Sequence, residues 1–188
     1  MAKKNAENIG KVLFTQQQIE KRAKEIGAQI DKDYAGEDVL LLGTLKGSIM
    51  WMVDMMKAIT LDTPIDFITA SSYGSSTMSS GVVKITYEPT TNLYGKNVLI
   101  VEDIVDTGNT LKFLIEKLKE HGPKSVKVCT LLNKQARRTT DFKPDYIGFE
   151  VDDLFIIGYG LDYDQHYRGL PYVGYLTEED VEAVTAKK

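Results

Sequence analysis

Residues 97–118, "NVLIVEDIVDTGNTLKFLIEKL", carry the pattern that decides the fold: an apolar run, an acidic turn and an amphipathic segment. The run at 97–103 predicts a buried strand, and the segment from Thr110 onward predicts a helix with apolar residues at helical spacing. Further apolar runs at 39–45 and 125–132 alternate with other helical segments. Such alternation is typical of an α/β fold, with a central, mostly parallel twisted sheet flanked by helices.

The composition is that of a single globular domain, 1–188. Hydrophobic residues make up 43% of the chain and charged residues 27%, as in ordinary soluble proteins. No apolar run approaches the ~18 residues that span a bilayer, and the first ten residues lack the apolar core of a secretory signal. The single cysteine, Cys129, excludes an internal disulfide and favours the reducing cytoplasm. We expect residues 1–10 and 177–188 to be frayed termini.

The charged and metal-binding residues limit the possible ligands. A formal net charge of −4 argues against nucleic acid as the main ligand, because a phosphate backbone needs a clustered basic surface. The densest basic stretch, "NKQARR" at 133–138, is short and, taken alone, is typical of a solvated loop. One cysteine and two histidines make a zinc cluster a poor fit, so any metal should be a hard ion bound by oxygen.

Two helix starts are readable from the sequence and indicate packing without chemistry. Thr15 and Gln18 form a capping box, and Phe14 and Ile19 are placed for a hydrophobic staple. Ser48 is the predicted cap of the next helix, whose Met-rich and Trp-containing sequence indicates core packing.

Two loops follow predicted strands, which is where open α/β sheets bind ligands. They are "LKGS" at 45–48 and "EDIVDTGNT" at 102–110, and neither matches a Walker A loop or a G-x-G-x-x-G fingerprint. "DTGNT" nevertheless offers hydroxyls, a glycine and a following helix N-terminus, which together can hold a phosphate. Its three neighbouring acids would repel phosphate unless Mg²⁺ or a neutral polyol lies between. This combination suits a phosphorylated sugar.

The stretch at 98–111, "VLIVEDIVDTGNTL", resembles the phosphoribosyl pyrophosphate (PRPP) signature of type I phosphoribosyltransferases. Four more segments narrow the resemblance to the hypoxanthine-guanine phosphoribosyltransferase family in its bacterial form: "LLGTLKGS", "DFITASSYGSSTMSSG", "TLLNKQARR" and "DYIGFEVDDLFIIGYGLDYDQHYRGLPYVGYL". The resemblance runs from about residue 10 to 176. It implies a type I phosphoribosyltransferase fold with a small hood region over the base site.

The resemblance also implies a reaction and its partners. Enzymes of this family move the phosphoribosyl group of PRPP onto hypoxanthine or guanine, giving IMP or GMP and pyrophosphate, with Mg²⁺ as cofactor. They are usually homodimers or homotetramers, and neither nucleic acid nor a membrane is an expected partner. The motifs do not separate hypoxanthine from xanthine, so a xanthine-guanine transferase stays an alternative. A PRPP-sensing regulator that binds RNA or DNA is another, because fold alone does not exclude it.

Residue by residue, the PRPP signature gives Asp106 the role of catalytic base, hydrogen-bonded to N7 of the purine. Glu102 and Asp103 are implied to hold the ribose hydroxyls, directly or through Mg²⁺. Four residues are implied to hold the 5′-phosphate: Thr107, Gly108, Asn109 and Thr110.

Two other segments match the family's pyrophosphate site. Lys46 and Gly47 match the pyrophosphate loop, in which a non-proline cis peptide is typical. Arg168 is also implied to meet the pyrophosphate. Asp162 matches the acid that coordinates a second Mg²⁺, and its carbonyl is implied to read the base edge.

The purine site and its cover are implied by further matches. Lys134 matches the lysine that donates to the 6-oxo group, Phe155 would stack on the ring, and the backbone of Ile156 would read the base edge. Ser72 and Tyr73 match the dipeptide of the family's mobile loop. By composition alone, the segment that follows them is either such a lid or a plain hairpin connection.

Overall fold

The central sheet has six strands and is parallel except at one edge. The computed structural model describes residues 10–72 and 83–185. In spatial order the strands are β4 (Val83–Tyr87), β3 (Ile65–Ser72), β2 (Val39–Thr44), β5 (Asn97–Val105), β6 (Ser125–Asn133) and β7 (Tyr146–Glu150). Within this sheet the β3–β4 pair is antiparallel and the other pairs are parallel. The predicted α/β architecture is therefore confirmed.

Helices cover both faces of this sheet. They are α1 (Gln16–Asp33), α2 (Ile49–Ala58) and α3 (Asn109–Lys119). Leu41 and Leu99 pack in one core cluster with α1 and α2, whereas Leu40 and Ile100 pack with α3 in another. Because alternate residues of a strand point to opposite faces, β2 and β5 are buried on both sides. In the described ranges no helix has both the length and the apolarity to cross a membrane.

The two predicted helix starts have different outcomes. The capping box of α1 is confirmed, since the Gln18 amide donates to Thr15 Oγ1 at 3.3 Å and the Thr15 amide to Gln18 Oε1 at 2.8 Å. Ser48 lies at the start of α2, but the predicted side-chain cap is wrong. Its backbone is already helical, and its hydroxyl instead donates to the Thr44 carbonyl at 2.6 Å.

A second sheet joins segments that are far apart in the sequence. Its antiparallel strands are β1 (Lys11–Phe14), β8 (Phe155–Ile157) and β9 (Val173–Leu176), in the spatial order β1-β9-β8. A short helix, α4 (Glu178–Thr185), follows β9. Phe14 stacks on Phe149 of β7 with ring centroids 4.0 Å apart, which ties the two sheets together. This small sheet, called the hood sheet below, occupies the place of the predicted hood.

Cys129 lies in the middle of β6 and is completely buried. Its sulfur is 3.7 Å from the sulfur of Met55 on α2. Burial raises the pKa of the thiol to about 12, so the reactive thiolate is scarce at neutral pH. The residue fills the core, as the apolar sequence around it predicts.

Candidate active site

Glu102 and Asp103 lie on β5, which runs further than the sequence pattern predicted. The expected end at Asp103 is wrong, and the strand continues to Val105. The extension has a pairing partner, because β6 continues beside it and matches Val105 with Asn133. The two acids are therefore held by the sheet ladder, while the turn itself begins at Asp106.

The carboxylates of Glu102 and Asp103 are close enough to repel each other. The Asp103 amide donates to Glu102 Oε1 at 3.1 Å. Burial raises the pKa of Glu102 well above its usual range, and the charge of Asp103 raises it further. A divalent cation would relieve this repulsion, and Mg²⁺ commonly binds one or two carboxylates together with substrate phosphates and water. The donor set of Glu102 and Asp103 fits that ion.

The loop between β2 and α2 approaches the same acids. A Cβ atom on Gly47 would lie 1.6 Å from Asp103 Oδ2, so a side chain at this position would collide with the carboxylate. Glycine is required here by the close approach. The peptide bond between Leu45 and Lys46 is cis, as is typical of the family it resembles. The predicted pyrophosphate loop and the predicted ribose acids are thus direct neighbours.

The turn from Asp106 to Thr110 forms a cradle at the start of α3. Gly108, the residue before α3, has φ +85°, a left-handed conformation that glycine adopts without steric cost. Hydroxyl and backbone groups of Thr107 and Thr110 line a cavity of about 190 Å³, together with Glu102 and Asp106. The free N–H groups of a helix N-terminus favour an anion in such a place.

Asp106 lies in the wall between this cradle and a second cavity. The second cavity has a volume of about 420 Å³, and both are lined by Ile104 and Asp106. Asp106 Oδ1 is buried and has no hydrogen-bond partner within the described residues. Its other oxygen is 3.6 Å from Nη1 of Arg137. Asp106 can therefore accept a proton or a hydrogen bond from a ligand.

Lys134, directly after β6, also lines the larger cavity and is only 6% exposed. Its ammonium group donates to the Leu154 carbonyl at 2.8 Å and is 3.4 Å from Asp153 Oδ1. Taken alone, the basic stretch was typical of a solvated loop, and that interpretation is wrong for this residue. A buried ammonium held by two acceptors keeps donor capacity for a third.

The hood sheet supplies an aromatic side chain and a free strand edge. The Phe155 ring remains 47% exposed at the larger cavity and meets the Tyr163 ring edge-on, with centroids 5.3 Å apart. Ile156, which follows it, pairs with Tyr175 of β9. Because β8 is an edge strand among the described residues, it has backbone groups that no described strand uses.

The residues predicted for pyrophosphate form a polar network beside the hood. Arg168 Nη2 pairs with Asp162 Oδ1 at 2.7 Å, and Nη1 donates to the Gly160 carbonyl at 2.7 Å. Gln165 Oε1 accepts from Lys46 Nζ at 3.4 Å and from Arg168 Nη2 at 3.3 Å. The backbone N–H of Gln165 donates to Asp162 Oδ2 at 2.8 Å. Both oxygens of Asp162 are thus engaged by the chain itself.

Most of the predicted residues lie in two joined cavities and one network, whereas Asn109, the first residue of α3, does not line the cradle. Across the described ranges, no three His, Cys, Asp or Glu side chains form one metal-binding group, so Asp162 lies apart from the two acids of β5. Of the predicted lid, Ser72 is the last residue of β3 and Tyr73 is outside the described residues. The sequence pattern did not assign Asp153, Arg137 or Gln165, although the "NKQARR" stretch drew attention to the basic residues.

Known proteins share this fold and much of this sequence. A family model described as "Phosphoribosyl transferase domain" matches residues 11–164. Hypoxanthine-guanine phosphoribosyltransferases from Bacillus subtilis and Streptococcus mutans are each 46% identical to the chain. The first match covers 90% of this chain and 94% of the relative, and the second covers 92% and 96%. A crystal structure of hypoxanthine phosphoribosyltransferase from Staphylococcus aureus superposes with TM-score 0.89 at 42% identity, covering 94% of this chain and 98% of that one.

The fold, the cradle and the family match define a phosphoribosyltransferase. At this level of identity over most of its length, the chain belongs to the hypoxanthine-guanine phosphoribosyltransferase family.

Proposed function

We propose that the chain is a purine salvage enzyme that moves the phosphoribosyl group of PRPP onto hypoxanthine and guanine, with Mg²⁺ as cofactor. The products are IMP or GMP and pyrophosphate. One observation carries the proposal: Asp106 forms the common wall of a polar cradle and of a larger cavity that has an exposed aromatic ring. The family membership of the chain supports the same reaction.

The reaction requires one bond to form and one to break at C1′ of the ribose. The purine N9 forms the new bond, and pyrophosphate leaves with the electron pair of the old one. In this proposal the purine's N7 proton goes to Asp106 Oδ1, the buried oxygen that has no partner in the described chain. Residues Thr107 to Thr110 hold the 5′-phosphate and so fix the distance between the ribose and Asp106.

Glu102 and Asp103 would hold Mg²⁺ together with the ribose hydroxyls and pyrophosphate oxygens. Bound there, Mg²⁺ would supply positive charge that favours departure of pyrophosphate. The two carboxylates also stabilise the positive charge that develops on the ribose as the old bond breaks. The raised pKa of Glu102 supports this assignment, because a nearby cation relieves its repulsion with Asp103.

Lys46, Gly47 and Arg168 would bind the departing pyrophosphate. Gln165 Oε1 now bonds to both Lys46 and Arg168, in the manner expected of a phosphate oxygen. Asp162 would bind a second Mg²⁺, although its oxygens are engaged by Arg168 and Gln165. Cation binding at Asp162 would therefore release Arg168 towards pyrophosphate.

Lys134 would select 6-oxopurines, with Phe155 stacked on the ring and backbone groups of Ile156 and Asp162 at its edge. An ammonium group donates hydrogen bonds and cannot accept one. A 6-oxo group can accept from Lys134, whereas the 6-amino group of adenine cannot. Because Leu154 and Asp153 already hold the ammonium, little side-chain freedom is lost when the base binds.

Pyrophosphate release from PRPP tests the proposal directly. Hypoxanthine and guanine should give IMP and GMP in the presence of Mg²⁺, while adenine should give no product. Absence of release with every 6-oxopurine would contradict the proposal. A kcat/KM for xanthine above that for hypoxanthine would favour the xanthine-guanine alternative, and tight binding of labelled RNA or DNA at physiological salt would favour a regulator.

A homodimer or homotetramer is the proposed assembly. Ile49, Val53 and Met56 are exposed on α2, and their spacing places them on one face of the helix. An exposed apolar stripe of this kind supports contact with a second copy. Light scattering should give the mass of an oligomer, and the double variant V53E/M56E should shift it towards the monomer. An unchanged mass in that variant would place the interface elsewhere.

The cytoplasm is the proposed location. The single, deeply buried Cys129 suits a reducing compartment. Cell fractionation with an antibody against the protein tests this, and recovery with the membrane pellet after a salt wash would contradict it.

A further inference from the structure

Arg138 lies behind the site and lines neither of its two cavities. Its guanidinium nevertheless has four acceptors. Nε donates to the Asp106 carbonyl at 3.0 Å, and Nη2 donates to the Val105 carbonyl at 3.3 Å. Nη2 also donates to Asn133 Oδ1 at 2.5 Å, and Nη1 donates to the Phe142 carbonyl.

Three of these acceptors lie at the adjacent ends of β5 and β6, beside Asp106 and Lys134 of the purine cavity, and the fourth, the Phe142 carbonyl, lies in a third segment. Asp106 is the proposed catalytic base. Asn133 directly precedes Lys134, the residue proposed to bind the purine. Asn133 is itself fixed, because its amide nitrogen donates to both oxygens of Glu150 at 3.0 and 2.8 Å. One guanidinium thus joins the backbone of Asp106 to the start of the Lys134 segment.

The aliphatic part of Arg138 supports the cradle as well. A Cβ atom on Gly108 would lie 3.1 Å from Arg138 Cδ and 2.4 Å from Thr140 Oγ1, so the cradle rests on this segment. Thr107 is held independently, because its carbonyl accepts from the Thr139 amide at 3.1 Å and from the hydroxyls of Thr139 and Thr140, each at 3.3 Å. Removing the guanidinium would leave the Thr107 carbonyl with its three donors, whereas the Asp106 carbonyl would lose its bond from Arg138 Nε.

We propose that Arg138 is a positioning residue that sets the Asp106 carboxylate at its working distance from the purine held by Lys134. This inference rests on the proposed function. The planar guanidinium bridges acceptors on three segments at once, which the single nitrogen of a lysine cannot do. Arg137 has a different role, since it lines the purine cavity.

The test compares Arg138→Lys with a matched variant, Arg22→Lys. Arg22 on α1 also donates to two backbone carbonyls, those of Gly148 at 2.9 Å and Ile147 at 2.8 Å, and it lines neither cavity. Both substitutions remove guanidinium–carbonyl bonds and keep the charge. Thermal unfolding, kcat and the KM values for PRPP and hypoxanthine are measured for both variants and the unmodified protein.

We expect R138K to lower kcat by about 10- to 100-fold, the range expected when a catalytic group moves by about 1 Å. Both KM values should change by less than about threefold, because Thr107 and Lys134 keep their other hydrogen bonds. R22K should lose a similar amount of thermal stability at unchanged kcat. Unchanged kcat in R138K, or a rise in KM alone, overturns the inference.

Asn133→Ala provides a second variant if R138K does not fold. It keeps the guanidinium and removes one of its anchors, so kcat should fall by about three- to tenfold. An N133A kcat equal to that of the unmodified protein overturns the inference. If the unmodified protein itself releases no pyrophosphate, the proposed function fails instead, so the two failures are distinguishable.

Discussion

The PRPP end and the purine end of the site are built in different ways. The PRPP cradle comes from one continuous segment, Glu102 to Leu111 at the junction of β5 and α3. The purine cavity collects side chains from three separate segments around Asp106, Lys134 and Phe155. A continuous segment leaves a motif that is readable in the sequence, whereas an assembled cavity depends on how distant segments pack.

The two ends also differ in charge. The cradle is lined by two threonines, a glycine and two acids, whereas the purine cavity contains Lys134 and the network beside the hood contains Lys46 and Arg168. Each of these cations already has an acceptor in the chain. The assembled end therefore holds its charged groups in place before a substrate arrives, which lowers the entropy cost of binding.

The strongest test of the comparison is Asp106→Asn, at the wall that both ends share. Asparagine keeps the shape of the side chain but cannot take a proton at neutral pH, so kcat should fall by about 10²- to 10⁴-fold. The KM for PRPP should change little. Steady-state kinetics of pyrophosphate release measure both, with the exposed Asp141→Asn as the control. Equal losses in kcat and PRPP affinity would remove Asp106 from the role of base.

A variant of Lys134 should affect the purine end alone. Lys134→Gln removes a charge-assisted hydrogen bond to the base, so the KM for hypoxanthine should rise by about 10- to 100-fold. The KM for PRPP should stay within error, because Lys134 does not line the cradle. Lys143→Gln, which changes an exposed lysine, serves as the control. A parallel rise in both KM values would contradict the separation of the two ends.

The reciprocal variant is Gly108→Ala, which should affect the PRPP end alone. An alanine there is strained by its φ of +85° and collides with Thr140 Oγ1, so the KM for PRPP should rise by about tenfold. Gly95→Ala is the matched control, because Gly95 has φ +72° and no atom within 4 Å of the added Cβ. Equal PRPP KM values in the two variants would show that the collision is unimportant.

Asp66 lines neither cavity, so its substitution should have the smallest effect on activity. It tests instead how the stability of the fold depends on pH. Burial alone would raise its pKa, but amide donors from Thr91, Phe67 and Thr90 outweigh burial and lower it. We expect Asp66→Asn to reduce the free energy of unfolding at pH 7 by about 1–3 kcal/mol, since its amide group faces N–H donors.

The sign of the pH dependence follows from that lowered pKa. The ionised carboxylate stabilises the folded protein above the unfolded pKa of about 3.9, and the contribution is lost as the pH falls through the lower folded value. The stability difference between the unmodified protein and D66N should therefore narrow below about pH 4. Chemical denaturation across pH 3 to 7 measures it. A stability difference that stays constant from pH 7 to pH 3 would exclude the ionised Asp66 carboxylate as the source of the lost stability.

The sequence predicted the PRPP end more completely than the purine end. Asp106 begins the turn before α3, as the local helix signals predicted, whereas Glu102 and Asp103 lie on the strand before it. The predicted strand end at Asp103 was wrong, since pairing with β6 extends β5 to Val105. The sequence of one segment does not show how far a neighbouring strand will pair with it, and that pairing sets where the strand ends.

The purine end was predicted from the family resemblance and much less from local patterns. Nothing near Lys134 indicates that the Leu154 carbonyl and Asp153 bury its ammonium. Ser48 occupies the predicted N-cap position, but its hydroxyl makes no cap bond for a related reason, because the nearby Thr44 carbonyl accepts from it instead. Arg138 was not predicted because three of its four acceptors are backbone carbonyls, which carry no sequence signature.

The hood sheet implies an order of assembly. Its strands β1 and β9 come from the two ends of the described chain, so their pairing requires a long-range contact, and such contacts form slowly. Chains fold from the N-terminus as they leave the ribosome, and the strands that carry the PRPP cradle emerge before Val173–Leu176. We expect a nascent chain to complete the 5′-phosphate cradle before it completes the purine cavity.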